Sequence, residues 1–157
     1  MKQKILNTIF LLLAFVLATI CAFYLEESYR VLVRKIFKWS TNNNISFFGK
    51  NFHLFPSYQF VLSFGLYISF FIFLIKSLRI KKKLLVTIMV SSIFFISTFL
   101  FSYIESNLKI IECTACDNEK LKLHFNHINY DLIFISSLVI SLIPILILKI
   151  KNSRIRV

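Results

Sequence analysis

Glycine and proline are almost absent from this chain, since each occurs only twice in 157 residues. Acidic residues are also scarce, with seven against nineteen lysines and arginines. The sequence therefore contains no glycine-rich loop of the kind that cradles phosphate. It also contains no carboxylate dyad or nucleophile–base pair that would indicate a catalytic site. With 57% hydrophobic and 17% aromatic residues, the chain is too apolar for an ordinary soluble domain.

Four apolar runs contain no charged residue, and each is close to the roughly 20 residues that cross a bilayer. They comprise residues 5–25, 57–75, 84–103 and 132–148. The runs show neither heptads nor the alternation of barrel strands, so they predict helices, which satisfy their own backbone in hydrocarbon. The predicted fold is an all-α integral membrane protein. It consists of one membrane domain, residues 1–157, whose four transmembrane helices form an antiparallel bundle.

The first run has a second interpretation. Lys2 and Lys4 precede it, and bases before an apolar run are also typical of a cleaved signal peptide. The run is long for a signal peptide, and no clear small-x-small cleavage site follows it, which favours a retained transmembrane helix. Cleavage remains the alternative.

Polar groups inside the four runs are limited to uncharged side chains. Ionisable residues, which usually mark a transport or catalytic path, are missing from them. The hydroxyls of the last two runs are expected to join helices by hydrogen bonds, and they include Ser91, Thr98, Ser102, Ser137 and Ser141. Cys21 is expected to be a small buried packing residue. No cofactor is expected.

Lysines and arginines are distributed unevenly over the predicted topology. With four spans, both termini and the loop 76–83 share one side, which carries eleven of the nineteen bases, while all seven acids lie on the other side. Five of these bases crowd into that one loop: Lys76, Arg79, Lys81, Lys82 and Lys83. Because bases in short loops set topology, both termini are predicted to be cytoplasmic, as in a protein of a bacterial inner membrane.

The basic clusters are interpreted as membrane-surface groups that attract anionic lipid headgroups. They are not interpreted as a nucleic-acid site, because no aromatic-interleaved groove or binding fold accompanies them.

The first predicted outer loop, residues 26–56, begins with a helical pattern. Arg30, Arg34 and Lys38 recur every four residues, and Trp39 follows them. This pattern predicts an amphipathic helix that lies in the membrane interface, with its bases at the membrane surface and Trp39 at headgroup depth. A helix that docks on a partner protein is the alternative.

The second predicted outer loop, residues 104–131, is expected to form a small β-hairpin. Its residues 121–125 alternate between apolar and polar side chains, as in a half-buried strand, and residues 117–119 supply turn chemistry. Cys113 and Cys116 would lie on the other arm, near the tip.

The cysteine pair supports several interpretations. Outside the cytoplasm, neighbouring thiols tend to pair, so a structural disulfide between Cys113 and Cys116 is the first. A redox-active pair is the second, because Cys-x-x-Cys spacing is where thiol pKa values are depressed. A zinc site that adds His124 and His127 is the third, although these histidines come together only if a helix starts between them. Idle thiols are the fourth.

Three families have a similar plan. The sequence CTAC at Cys113 and Cys116, on the outer side of a four-helix protein, resembles the quinone-linked enzymes that make disulfides and the vitamin K epoxide reductases. That resemblance implies a relay of electrons between two cysteine pairs, but this sequence has no second outer pair, so no quinone site is assigned. The small, basic four-helix plan is also similar to that of immunity proteins against pore-forming bacteriocins, which implies binding without chemistry.

Two hypotheses of function remain. The first is a non-enzymatic inner-membrane protein whose outer loops contact a protein partner, as an accessory subunit, sensor or immunity-type factor. The second is a membrane thiol–disulfide oxidoreductase that uses Cys113 and Cys116.

Overall fold

The structure, a computed structural model, describes residues 2–41, 45–48, 57–78, 83–112 and 121–154. Its elements, in chain order, are α1 (Lys2–Thr41), β1 (Ile45–Phe48), α2 (Tyr58–Ser77), α3 (Lys83–Glu112), β2 (Leu121–His124), a 3₁₀ helix (Phe125–His127) and α4 (Tyr130–Arg154). Four helices are long and apolar enough to cross a membrane. The prediction of a helical protein with four membrane spans is therefore confirmed.

The four helices pack as a bundle in which α1 and α4 each contact both α2 and α3. Hydrogen bonds fix the relative positions of neighbouring helices: the Ser69 hydroxyl of α2 donates to the Leu11 carbonyl of α1 at 3.4 Å, and the hydroxyls of Tyr67 and Ser141 lie 2.9 Å apart. We call the end where α1 and α3 finish and α2 and α4 begin the long-loop end. The opposite end is the termini end.

Helix α1 is longer than predicted. It runs unbroken for 40 residues, about 60 Å at 1.5 Å per residue, roughly twice the hydrocarbon thickness. The predicted amphipathic segment is therefore the continuation of the first span and not a separate helix in the interface. The physical reason is that residues 26–41 contain no glycine or proline to interrupt the helix. Its last turns pack on α3, where the hydroxyls of Ser40 and Ser106 are 2.6 Å apart.

The alternation at residues 121–124 does mark a strand, but the predicted hairpin is not supported. Strand β2 pairs with β1, in parallel, with Ile45 opposite Leu121 and Phe48 opposite His124. The two long connections are thus joined to each other by a backbone ladder. The hairpin arm expected to hold Cys113 and Cys116 lies outside the described residues.

Aromatic side chains fill the core toward the long-loop end. The aromatic cluster consists of Tyr29, Phe60, Phe94 and Phe134, one from each helix. The rings of Phe60 and Phe134 stack with centroids 3.9 Å apart, and Tyr29 meets Phe134 edge-on at 4.9 Å. Offset and edge-on arrangements of this kind are the favoured geometries of aromatic pairs.

Close packing of α1 on α2 depends on Gly65. A Cβ atom at this position would lie 2.6 Å from Cγ2 of Thr19 and 2.9 Å from Cε2 of Phe15. Thr19 is held in place because its hydroxyl donates to the Val16 carbonyl at 2.8 Å. Glycine therefore allows the two helices to approach closely, as small residues commonly do in membranes.

The prediction that these hydroxyls join helices is only partly matched. Ser141 of α4 lies within hydrogen-bond distance of the Tyr67 hydroxyl of α2. Ser102 and Ser137 are buried but donate to carbonyls of their own helices, and Ser91 is exposed. The prediction for Cys21 was wrong, since this cysteine is exposed on the surface of α1.

Candidate functional site: a buried arginine–carboxylate cluster

Charged side chains converge inside the long-loop end. The arginine–carboxylate cluster comprises Glu26, Arg30, Arg34, Ser57, Tyr130 and Asp131. The helical spacing of four residues puts Glu26, Arg30 and Arg34 on one face of α1. That face turns toward the first residues of α2 and α4.

Glu26 forms the centre of the cluster. Its Oε1 atom accepts from Nε of Arg30 at 2.8 Å and lies 2.7 Å from the second guanidinium nitrogen. The backbone N–H of Ser57, which precedes α2, donates to Oε1 at 3.1 Å and to Oε2 at 2.9 Å. A carboxylate at this place also faces the positive end of the α2 dipole. One side chain of α1 thus neutralises Arg30 and holds the start of α2.

Arg34 connects α1 to the beginning of α4. Its Nε donates to the Tyr130 hydroxyl at 3.1 Å, and that hydroxyl donates to the Phe125 carbonyl at 3.0 Å. The guanidinium of Arg30 lies 4.7 Å from the centre of the Tyr130 ring, and that of Arg34 lies 5.4 Å from the Phe125 ring. Both arginines therefore exchange hydration for hydrogen bonds and cation–π contacts, which suits the planar guanidinium.

Two more carboxylates hold the start of α4. The Ser57 hydroxyl donates to Oδ2 of Asp131 at 3.0 Å, which joins α2 to α4. The Asn129 N–H donates to Oε1 of Glu105 at 3.0 Å, which joins α4 to α3. All four helices therefore meet through charged or hydroxyl groups at this end.

The arrangement indicates a structural lock. Glu26, Arg30 and Arg34 are buried, and burial of a charge is tolerated only where pairing and hydrogen bonds compensate for lost water. Glu26 and Arg30 meet that condition through each other, through Ser57 and through the Tyr130 ring. The cluster ties the starts of α2 and α4 to α1.

The structure places Arg30 and Arg34 elsewhere than predicted. Expected at the membrane surface, they are only 7% and 6% exposed. The reason is that Glu26 and Tyr130 of the protein itself accept hydrogen bonds from the two guanidinium groups, in place of lipid headgroups.

The structure describes only some of the other residues that were predicted to lie at the membrane surface. Lys38 and Trp39 are exposed, Trp39 by 67%, with its indole against the Phe99 ring at 5.5 Å. Lys76 and Lys83 are exposed at the termini end, and the Lys76 ammonium lies 3.7 Å from the centre of the Phe10 ring. Binding of headgroups by these four side chains stays a prediction. Arg79, Lys81 and Lys82 lie outside the described residues.

The cysteine and zinc hypotheses also stay open, since Cys113 and Cys116 lie outside the described residues. A 3₁₀ helix does start after His124, and it brings the rings of His124 and His127 to 5.9 Å. However, Nδ1 of His124 accepts from the Asn126 N–H at 3.1 Å. A neutral His124 in this state carries its proton on Nε2 and offers no free lone pair to zinc. In the part of the chain that the structure describes, no group of three metal-binding side chains is present.

Sequence reasoning did not find the cluster, although one signal of it is visible. Glu26 and Arg30 stand four residues apart, which is the spacing of a helical ion pair. Nothing in the spacing indicates that Tyr130, 96 residues from Arg34, completes the arrangement.

No protein-family model, no curated protein and no solved structure matches this chain. Its own helices establish a multi-pass membrane protein.

Proposed function

We propose that this is a non-enzymatic protein of a bacterial inner membrane whose long-loop end binds a protein partner, as an accessory subunit, a sensor or an immunity-type factor. The observation that carries the proposal is the arginine–carboxylate cluster. It uses buried charge to fix the starts of α2 and α4 against α1, and such a preformed surface loses little entropy when it binds.

The ladder between β1 and β2 supports the same function. These strands belong to the two long connections, and their pairing joins residues 45–48 of the first connection to residues 121–124 of the second. Connections that only link helices do not need a strand ladder or buried ion pairs. A surface that combines residues of both connections suits recognition of a partner.

The exposed end of α1 supplies the chemistry for recognition. Trp39 presents a large aromatic surface, and Lys35 and Lys38 stand beside it on the same exposed segment. Tryptophan beside positive charge is typical of interface hot spots, and it selects a partner with an acidic surface.

The bases of the termini end support cytoplasmic termini and contact with anionic headgroups on that side. A reporter enzyme that works only in the cytoplasm should therefore be active when fused after Val157. A second reporter, active only after translocation, should be inactive at the same position. The reverse result would place the long-loop end in the cytoplasm. Binding of a partner on the outer side of the membrane would then be wrong.

Photocrosslinking in living cells tests partner binding directly. A photoreactive amino acid at Lys38 should give one discrete protein adduct, which mass spectrometry then identifies. The same probe at Ile88, an exposed residue inside the predicted membrane region, is the matched control and should label lipid. Lys35→Glu should weaken the adduct at Lys38, because the proposed partner surface is acidic.

Two results would contradict the proposal. If the probe at Lys38 labels only lipid, Trp39 and Lys38 serve as a membrane anchor. If the protein adduct disappears in Cys113→Ser and a mixed disulfide accumulates in Cys116→Ser, the thiol–disulfide oxidoreductase becomes the better account of function.

A further inference from the structure

An open crevice of about 350 Å³ lies on the side of the bundle between α1 and α3. Its floor is formed by the aromatic cluster together with Phe64. Its edges include Leu25 of α1, which is 45% exposed, and Phe95 of α3, which is 58% exposed. No charged side chain lines it. A crevice of this kind on the side of a membrane-spanning bundle is suited to an apolar ligand from the bilayer.

The crevice lies within the depth of one lipid leaflet. The Trp39 ring of α1 contacts the Phe99 ring of α3 at 5.5 Å. Phe99 is four residues from the end of the uncharged run of α3, so Trp39 and Lys35, one turn earlier on α1, lie near the membrane boundary. Leu25 lies ten residues before Lys35, which is about 15 Å along a helix. That length is about half of the hydrocarbon thickness.

A lysine stands at the outer end of this crevice. Four residues of α1 recur at intervals of three or four and therefore form one stripe along the helix: Leu25, Ser28, Leu32 and Lys35. The first three line the crevice, and Lys35 is exposed one turn beyond them. Because helical side chains lean toward the N-terminus of their helix, Lys35 leans toward the crevice. No carboxylate of the described residues forms an ion pair with Lys35.

We propose that this crevice binds an anionic glycerophospholipid, with one acyl chain on the aromatic cluster and the phosphate at Lys35. The order of the groups matches that of a lipid, because the apolar surface lies inside the leaflet and the positive charge lies at its boundary. The ammonium of Lys35 has three donors, so a bound phosphate does not remove it from the proposed partner surface. The inference goes beyond the proposed function, since it concerns a lipid and not the protein partner.

Quenching of tryptophan fluorescence by brominated acyl chains tests the proposal in vesicles of the purified full-length chain, where no protein partner is present. Trp39 is the one tryptophan, so Trp39→Phe combined with Phe95→Trp places the only fluorophore at the edge of the crevice. The vesicles mix phosphatidylglycerol with phosphatidylcholine, and one of the two lipids at a time carries bromine. Phosphatidylglycerol should be preferred by about five-fold, the effect of one base near the membrane surface. Lys35→Gln should abolish this preference, and Lys35→Arg should keep it.

Two controls distinguish the crevice from the rest of the surface. Lys38→Gln removes the same charge from the same segment, but the Lys38 ammonium lies 5.6 Å from the Phe125 ring, which does not line the crevice. The preference should therefore survive in Lys38→Gln. When Trp39→Phe is combined with Phe70→Trp, the fluorophore lies on α2 outside the crevice and should report no such preference.

Four results would overturn the proposal. They are equal preferences at the two fluorophore positions, a preference that survives Lys35→Gln, a preference that is lost in Lys38→Gln, and a preference that is lost when soluble glycerol 3-phosphate is added. The last result would mean that Lys35 binds free phosphate and that the crevice holds no chain. Helical circular dichroism of each variant confirms that the bundle is intact.

Discussion

Glu26→Ala is expected to lower the free energy of unfolding by about 3–5 kcal/mol, which is the effect of breaking a buried ion pair from one side. Glu26 is only 4% exposed, and Arg30 depends on it for charge compensation. The substitution also removes the acceptor of the Ser57 N–H at the start of α2. Unfolding by sodium dodecyl sulfate in mixed micelles, followed by helical circular dichroism, measures the change.

A matched control is available one residue away. Glu27 also contacts an arginine, but its side chain is 57% exposed and its distance to Arg34 is 3.5 Å. Glu27→Ala should therefore cost less than about 1 kcal/mol, as exposed ion pairs do. Equal effects of the two alanine substitutions would show that Glu26 and Arg30 do not form a buried pair.

A double substitution separates the effect of the ion pair on the free energy of unfolding from the other contributions of Glu26. When Arg30→Met is added to Glu26→Ala, neither member of the pair is left as a lone buried charge. We expect part of the lost stability to return. The remainder reports the contact between Glu26 and the start of α2, together with the lost stacking of Arg30 on Tyr130.

The four spans could be predicted because the bilayer imposes a simple requirement of length and polarity on each helix. The end of the first span could not. A helix that lies on a membrane and a helix that continues from a span have the same periodicity, so the pattern from Glu26 to Trp39 fits both. Only the contacts of Ser40 and Arg34 with other helices decide between them.

The candidate site was less accessible to sequence reasoning, because its members come from distant parts of the chain. Arginines spaced by four residues predict one basic face, but not whether lipid or protein covers it. The side chains that cover these arginines are Tyr130 and Phe125, which lie near the start of α4. In the same way, alternation predicted a strand at residues 121–125, of which β2 covers residues 121–124. Its partner at residues 45–48 is determined by how the helices bring the two connections together.

Phe134→Ala is expected to cost about 2–3 kcal/mol, which is less than the roughly 3–5 kcal/mol of such substitutions in the core of a soluble protein. Phe134 is buried, and its ring contacts Phe60 at 3.9 Å, Tyr29 at 4.9 Å and Phe94 at 5.9 Å. Alanine leaves a cavity where all four helices meet. The same detergent titration measures the loss, and Phe134→Leu should recover a substantial part of it.

The physical reason for this cost differs from that in a soluble protein. Lipid tails are as apolar as leucine, so transfer out of water contributes little to the association of membrane helices. Phe134 stabilises the bundle through dispersion and through its stacked and edge-on aromatic contacts, and alanine removes both. Phe70, a half-exposed ring on α2, is the matched control, and Phe70→Ala should cost less than about 1 kcal/mol. Similar losses at the two positions would mean that surface area alone, and not the aromatic cluster, stabilises the bundle.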